Sequence, residues 1–316
     1  MLSTVFGMSK WMIVLGVLTS FILSFAGIRL GQNSLPRDGG RKFAVNGELS
    51  RGKPRGAGLI FVAAFAIAGI LFVPFTAENL IYILLVVGGM LSGYFDDASE
   101  TPWNEYKKGL IDLIIALAGA FTYVNFNGST IAIPFTSLSV TLPRWLYIIL
   151  GVVLIWGSIN VTNCSDGVDG LSGTLSMVTI GAFLILCLQA APEFSLLCGI
   201  MIAAILAYQW FNASPSFLMM GDAGSRAMGL FIAFAAMKSG NPLIYLVLGL
   251  VMILDGGLGL SKISLKRFLK ISILKNTRTP LHDHARKNKG WSDPQTVYRF
   301  AIIQAVLCFA ALALSL

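Results

Sequence analysis

Four groups of polar residues stand out from a chain that is otherwise short of charge. Asp96 and Asp97 sit side by side in GYFDDASE. Adjacent carboxylates repel unless a cation or proton comes between them, so the pair suits Mg2+ or a shared role as base. A solvated helix end is the plainer explanation. Asn160, Asn163, Asp166 and Asp169 recur every three residues in NVTNCSDGVDGLSG. That spacing ranges amides and carboxylates along one side of a turn or helix. Gly167 and Gly170 permit tight bends there. Asn and Asp together can read a nucleobase edge and ribose hydroxyls. A calcium loop is the rival, but the spacing departs from the EF-hand order.

The third group is NASPSFLMMGDAGSRAMG, in which Asp222 lies at the expected start of a helix, between Gly221 and Ala223. A helix N-terminus favours anions, and small neighbours let backbone N–H groups approach phosphate oxygens. Asp222 is placed to hold a metal bridging those oxygens. A helix cap explains the same residue without a ligand. The fourth group, TPLHDHARKNKGW, holds both histidines of the chain, His282 and His284. With Arg286, Lys287 and Lys289 they can meet a diphosphate. Zinc would need a fuller ligand set than two histidines and one aspartate. GKPRGAG lacks the order of a nucleotide-binding P-loop.

The elements that must position these groups are membrane helices. The 316 residues are 56% hydrophobic and 12% charged, with mean hydropathy +0.77. Soluble domains carry about 25% charged residues. Ten apolar spans are expected, at 10–30, 57–75, 79–95, 109–125, 144–161, 170–190, 194–211, 225–238, 241–263 and 297–315. The first is too long for a signal-peptide core and is expected to stay. No hydrophilic stretch is long enough for a separate soluble domain, so residues 1–316 read as one membrane domain. LDGGLGL, residues 254–260, predicts a break inside the ninth span. The β-branched segment 126–142 predicts a small hairpin. The four cysteines show no paired spacing and read as buried small hydrophobes.

Charge gives the orientation. Of 23 lysines and arginines, 20 fall in the connections after odd-numbered spans or at the span ends that border them, leaving Lys10, Arg144 and Lys238 on the other side. By the positive-inside rule the odd connections are cytoplasmic and both termini periplasmic. The +8 net charge is thereby explained without nucleic acid. Much of the basic run Lys266–Lys275 suits an interfacial segment against anionic membrane lipid. All four polar groups then share the cytoplasmic face, where carboxylates for Mg2+, cations for diphosphate and amides for a base fit phosphoryl transfer from a nucleotide-linked donor to a lipid phosphate.

These motifs resemble the polyprenyl-phosphate N-acetylhexosamine-1-phosphate transferases, over nearly the whole chain and in the family order. PLHDHARKNKGWSDPQTVYRF is similar to the Pro-x-His-His-His, Lys-Gly-Trp and Arg-Phe pattern of the branch that takes UDP-N-acetylmuramoyl-pentapeptide. The N-acetylglucosamine branch carries a different histidine motif and is the alternative. The resemblance implies an all-α polytopic fold with ten transmembrane helices, the ninth bent beside a lipid groove, and a homodimer. It implies undecaprenyl phosphate as acceptor, Mg2+ dependence, and lipid I and UMP as products. It implies Asp96 as the carboxylate that deprotonates the lipid phosphate, Asp97 as its support, and Asp222 as principal metal ligand, with Asp96 also facing the metal. Lys108 corresponds to a lysine near the diphosphate. Asn163, Asp166 and Asp169, with Asn160 beside them, correspond to the nucleoside side, and Asn212 to a polar neighbour. His282 corresponds to the leading histidine of the catalytic loop, with His284 at the substrate.

The chain departs from the pattern in two places. Asp283 stands where the middle histidine is expected. GKPRGAG replaces Gly-Thr-Pro-Thr-Met-Gly-Gly, with Ser50 in the place of a lysine, so that Lys53 and Arg55 both remain candidates to supply its charge. Direct attack by the lipid phosphate and a covalent aspartyl intermediate are both open chemically; direct attack is favoured, because two phosphates bridged by Mg2+ need no protein nucleophile. From another class, a cation-coupled transporter would use Asp112 or Asp255 within the helices, although transporters place such sites near the midplane.

Overall fold

The computed structural model describes residues 10–40, 47–99, 101 and 103–315; Arg41, Lys42 and Glu100 of the charge pattern lie outside them. Nine of the ten expected spans each coincide with one helix, and the span at 241–263 with a broken pair. In chain order these are α1 (Lys10–Gly31), α2 (Gly58–Phe72), α3 (Ala77–Asp97), α4 (Glu105–Asn127), α5 (Arg144–Cys164), α6 (Leu171–Ala190), α7 (Pro192–Asn212), α8 (Gly221–Lys238) and α9 (Leu250–Phe268). A basic helix α10 (Leu281–Lys289) precedes α11 (Asp293–Ser315). Seven of the described helices are long and apolar enough to cross a membrane by themselves. The chain is an all-α polytopic membrane protein.

Burial separates the helices by role. In α8 every residue from Ala223 to Met237 is buried, whereas α1 and α11 expose apolar residues such as Trp11, Leu30 and Phe309. A helix apolar on all sides belongs in a core, and α8 is wrapped by α2, α3, α5 and α6. Its central position buries Arg226, which pairs with the buried Asp112 of α4. An unpaired charge there would be costly. The outer helices turn their apolar faces to where lipid tails belong.

The ninth span is broken, as expected, but at a different residue. A single helical turn, Tyr245–Leu248, meets α9 at Gly249 in a bent pair of 86°. The freed backbone groups are satisfied by side chains. The Leu248 carbonyl accepts from Thr179 Oγ1 at 3.1 Å and from Gln304 Nε2, and Gln304 Oε1 accepts the Val251 N–H at 3.0 Å. LDGGLGL runs through α9 as continuous helix. Its glycines serve close packing: a Cβ on Gly256 would stand 2.8 Å from both the Cys164 Cβ and the Val161 carbonyl oxygen.

Antiparallel alternation sorts the ends of the molecule. At one end, Lys238 Nζ meets Glu78 Oε1 at 2.8 Å and Asn127 Oδ1 at 2.9 Å, joining the start of α3 to the ends of α4 and α8. Beside them lies the expected hairpin, β1 (Thr130–Ala132) antiparallel to β2 (Ser139–Thr141), with Ile131 opposite Val140. The opposite end therefore gathers the end of α3, the start of α4, the end of α5 and the start of α8.

Candidate active site

Local rules put the polar groups at that end. The Asn104 side chain accepts the Lys107 N–H and caps α4, which fixes Lys108 in its first turn. Asp96 and Asp97 end α3. Asp222 is the second residue of α8, where the N-terminal dipole favours a carboxylate. Glycine brings α3 and α8 together. A Cβ on Gly93 would lie 2.3 Å from the Asp222 carbonyl oxygen, and one on Gly221 would lie 2.1 Å from Asp97 Oδ2. Gly221 also has φ +67°, a conformation that side chains rarely adopt.

The carboxylates are tied through shared cations. The Lys108 ammonium is ion-paired with Asp96 and lies 3.5 Å from Asp222 Oδ2. The other oxygen of Asp222 accepts from Asn163 Nδ2 at 3.2 Å and faces Arg55 Nη2 at 3.4 Å. Asn163 is steadied by Ser225 Oγ at 2.9 Å. Asp97 takes the Ala223 N–H at 3.2 Å and Arg55 Nε at 2.9 Å. Asp96 also accepts the Trp103 N–H at 2.8 Å. Burial acts to lower the Arg55 pKa, but Asp97, Asp222, Asp38 and Asp166 outweigh it and hold the guanidinium above the usual arginine range. It stays charged at every physiological pH.

Both candidate cations of the first loop are present, with different partners. Arg55 spans Asp38, Asp97 and Asp222. Lys53 Nζ donates to Ser216 Oγ at 3.0 Å and lies 3.6 Å from Asp169 Oδ2. The loop is laid along the segment before α8: Met219 N–H donates to the Pro54 carbonyl, and Ala57 N–H to that of Met219. Asp38 is 4% exposed and held by Ser50 Oγ at 2.6 Å, so its place in this cluster is structural as well as electrostatic.

The connection 165–170 joins this cluster to the histidine segment. Asp166 stands in the field of Arg55. His282 is 2% exposed, and its ring packs on Gly167, where a Cβ would come 2.2 Å from Nε2. Asp255 orients it: one carboxylate oxygen accepts the His282 N–H and the other bonds Nδ1, both at 2.8 Å. This directs Nε2 toward the 165–170 connection. Asp283, in the place of the middle histidine, lies 3.6 Å from Arg286 Nη1. Asn212 works from below, accepting the Gly170 N–H and donating to the Leu218 carbonyl, both at 2.8 Å.

Two expected residues stand apart from these contacts. Asn160 donates to the Trp156 carbonyl of its own helix at 2.8 Å. His284 accepts the Arg278 N–H at 3.4 Å on the outer side of α10. Conversely, Asp38 belongs to the cluster without a motif signature, and Ser225 belongs to it although only its neighbours in the third group were singled out. Arg55 was visible, with Lys53, only as a candidate to replace the charge of a missing lysine. Asp255 was visible as an acid in a membrane helix, and its partner was not.

The donor set suits a hard divalent cation. Asp96 and Asp222 offer oxygen ligands around one shared ammonium, the position in which a positive charge is needed. Among the described residues no three His, Cys, Asp or Glu side chains form a ligand group. Mg2+ commonly takes one or two carboxylates and completes its shell with phosphate oxygens and water, so two carboxylates fit it.

Comparison with known proteins agrees with this chemistry. The model of glycosyl transferase family 4 matches residues 79–240. A phospho-N-acetylmuramoyl-pentapeptide-transferase of Treponema pallidum (strain Nichols) is 38% identical over 312 residues, covering 92% of this chain and 86% of that protein. The protein of that name from Wolbachia sp. subsp. Drosophila simulans (strain wRi) is 30% identical over 81% of this chain and 82% of its own length. That of Rhodopseudomonas palustris (strain BisA53) is 26% identical over 83% of this chain and 80% of its own.

Proposed function

This chain belongs to glycosyl transferase family 4, and from that premise we propose that it transfers phospho-N-acetylmuramoyl-pentapeptide from UDP to undecaprenyl phosphate, giving lipid I and UMP for peptidoglycan. The observation that carries the chemistry is the single Lys108 ammonium shared by Asp96 and Asp222, with Arg55 and Asn163 on the other oxygen of Asp222. Such a preorganised array of charges suits two phosphate groups meeting in a dry site.

In this account the acceptor phosphate enters beside Asp96, which takes its proton. A phosphate oxygen attacks the donor phosphorus that bears the sugar. The new P–O bond forms as the bond to the bridging oxygen breaks, and that electron pair leaves with UMP. Lys108 and Arg55 release carboxylates to meet phosphate oxygens. Lys53, Asp169 and Asp166 face the nucleoside side, and His282, held by Asp255, faces the sugar diphosphate. Asp222 and Asp96 would hold Mg2+, which when bound would supply charge neutralisation at the reacting phosphates. The site opens to the cytoplasm of a bacterial inner membrane, and the protein works as a homodimer.

The transporter alternative loses its residues. Asp112 pairs with Arg226, and Asp255 with His282. The histidine segment and the similar proteins favour the muramoyl donor over UDP-N-acetylglucosamine. Purified protein given each donor with undecaprenyl phosphate and Mg2+ tests this. UMP release is expected from the muramoyl-pentapeptide donor, and release only from UDP-N-acetylglucosamine would overturn the assignment.

A further inference from the structure

Beyond the reacting groups lies an open polar depression of about 370 Å³, lined by Lys262, Lys275, Asn276, Thr277, Arg278 and Asn288 among others. It is cationic and uncompensated. Among the described residues none of its three cations has an ion-pair partner, and the acids nearby are engaged elsewhere: Asp283 and Asp293 with Arg286, Glu105 with Arg267. Lys262 is half-buried and gives two of its protons to the carbonyls of Leu274, at 3.0 Å, and Thr277, at 2.9 Å. Its ammonium therefore pins the loop to α9 and keeps an unbalanced charge at the wall of the depression.

The depression has a fixed relation to the active site. Segment 274–282 runs back along one face of α9, with Lys262 against Leu274 and Thr277, Gly259 against Thr279, and Asp255 against His282. At 1.5 Å per residue, Asp255 and Lys262 are separated by roughly 10 Å along the helix. Five extended residues span at most about 17 Å. A peptide attached to a sugar at His282 has the reach to put its far end in this depression.

Resting on the muramoyl-pentapeptide reading, we propose that this depression is the subsite for the donor's peptide, with Lys275 and Arg278 binding a peptide carboxylate and Asn276, Thr277 and Asn288 meeting its amides. Carboxylate recognition by paired cations and side-chain amides is charge-assisted hydrogen bonding. The basic run around it also suits an anionic membrane surface. The peptide is favoured because Lys262, through the carbonyls of Leu274 and Thr277, fixes Lys275 and Arg278 within that reach of His282.

The test compares UDP-muramoyl-pentapeptide with the same donor whose peptide carboxylates are amidated, using full-length protein in nanodiscs with and without phosphatidylglycerol. Wild type is expected to prefer the carboxylate donor by about tenfold in kcat/KM, the effect of one charge-assisted bond. The K275Q/R278Q variant should lose that preference, and K275E/R278E should favour the amidated donor. Equal losses for both donors that depend on phosphatidylglycerol would assign the charges to the membrane surface and overturn the proposal. A preference unchanged in both variants would overturn it too. If wild type releases no UMP from either donor, it is the transferase reading that fails.

Discussion

At the scale of single residues the account depends on which cation answers which carboxylate. Lys108 serves two aspartates at once. Lys108→Met is expected to lower kcat by at least about 100-fold, as removal of a preorganised charge does elsewhere, with the helical circular dichroism retained. Near-normal turnover in that variant would remove Lys108 from the chemistry. Arg55 bridges three carboxylates with a planar fork that lysine cannot copy. Little of this pairing was legible in the sequence. Asp96, Asp97 and Asp222 announced themselves by crowding and by glycine neighbours. Arg55 stood out only as one of two candidates for a missing charge and Asp38 not at all, because the partners of Arg55 at Asp97 and Asp222 lie far along the chain and only the fold brings them near. Asn160 shows the converse: a three-residue spacing included it, yet its amide is spent on the Trp156 carbonyl of its own helix.

At the scale of elements, glycine and one buried amide do the positioning. His282 fits only because Gly167 has no Cβ. Gly167→Ala should displace the ring and cut activity about tenfold or more, while Gly157→Ala, which meets nothing within 4 Å, should leave it unaltered. Equal rates in the two variants would detach His282 from the 165–170 connection. Gln304 is fully buried and satisfies both sides of the break at Gly249. Gln304→Leu leaves the Val251 N–H unpaired, with the Leu248 carbonyl still held by Thr179, and should cost about 1–3 kcal/mol, read as a lower melting temperature in detergent; no shift would mean the break is held by other contacts. The spans themselves were legible because hydropathy is a property of contiguous residues. The break was misplaced because Asp255 and its glycines look disruptive in isolation. In the fold they pack α9 against α5 and hold His282.

At the scale of the whole molecule, alternation of helices gathers the acidic motifs at one end and the Lys238, Glu78 and hairpin contacts at the other. We propose that the charge asymmetry of the sequence orients that arrangement with the acidic end inward. A membrane-impermeant maleimide applied to intact spheroplasts should label Ser137→Cys in the hairpin, and should reach Ala98→Cys and Lys287→Cys only in inverted vesicles. Outside labelling of either of the last two would reverse the orientation.

The central claim is that one pocket joins a nucleotide-linked phosphosugar directly to a lipid phosphate. Rapid-quench measurement of UMP in a single turnover addresses it, with enzyme in excess of UDP-muramoyl-pentapeptide and undecaprenyl phosphate present or absent. The account predicts UMP only when the lipid is present, formed in step with lipid I, and none from Asp222→Asn. A burst of UMP without the lipid, leaving the phosphosugar on an aspartate, or undiminished release by Asp222→Asn, would contradict it.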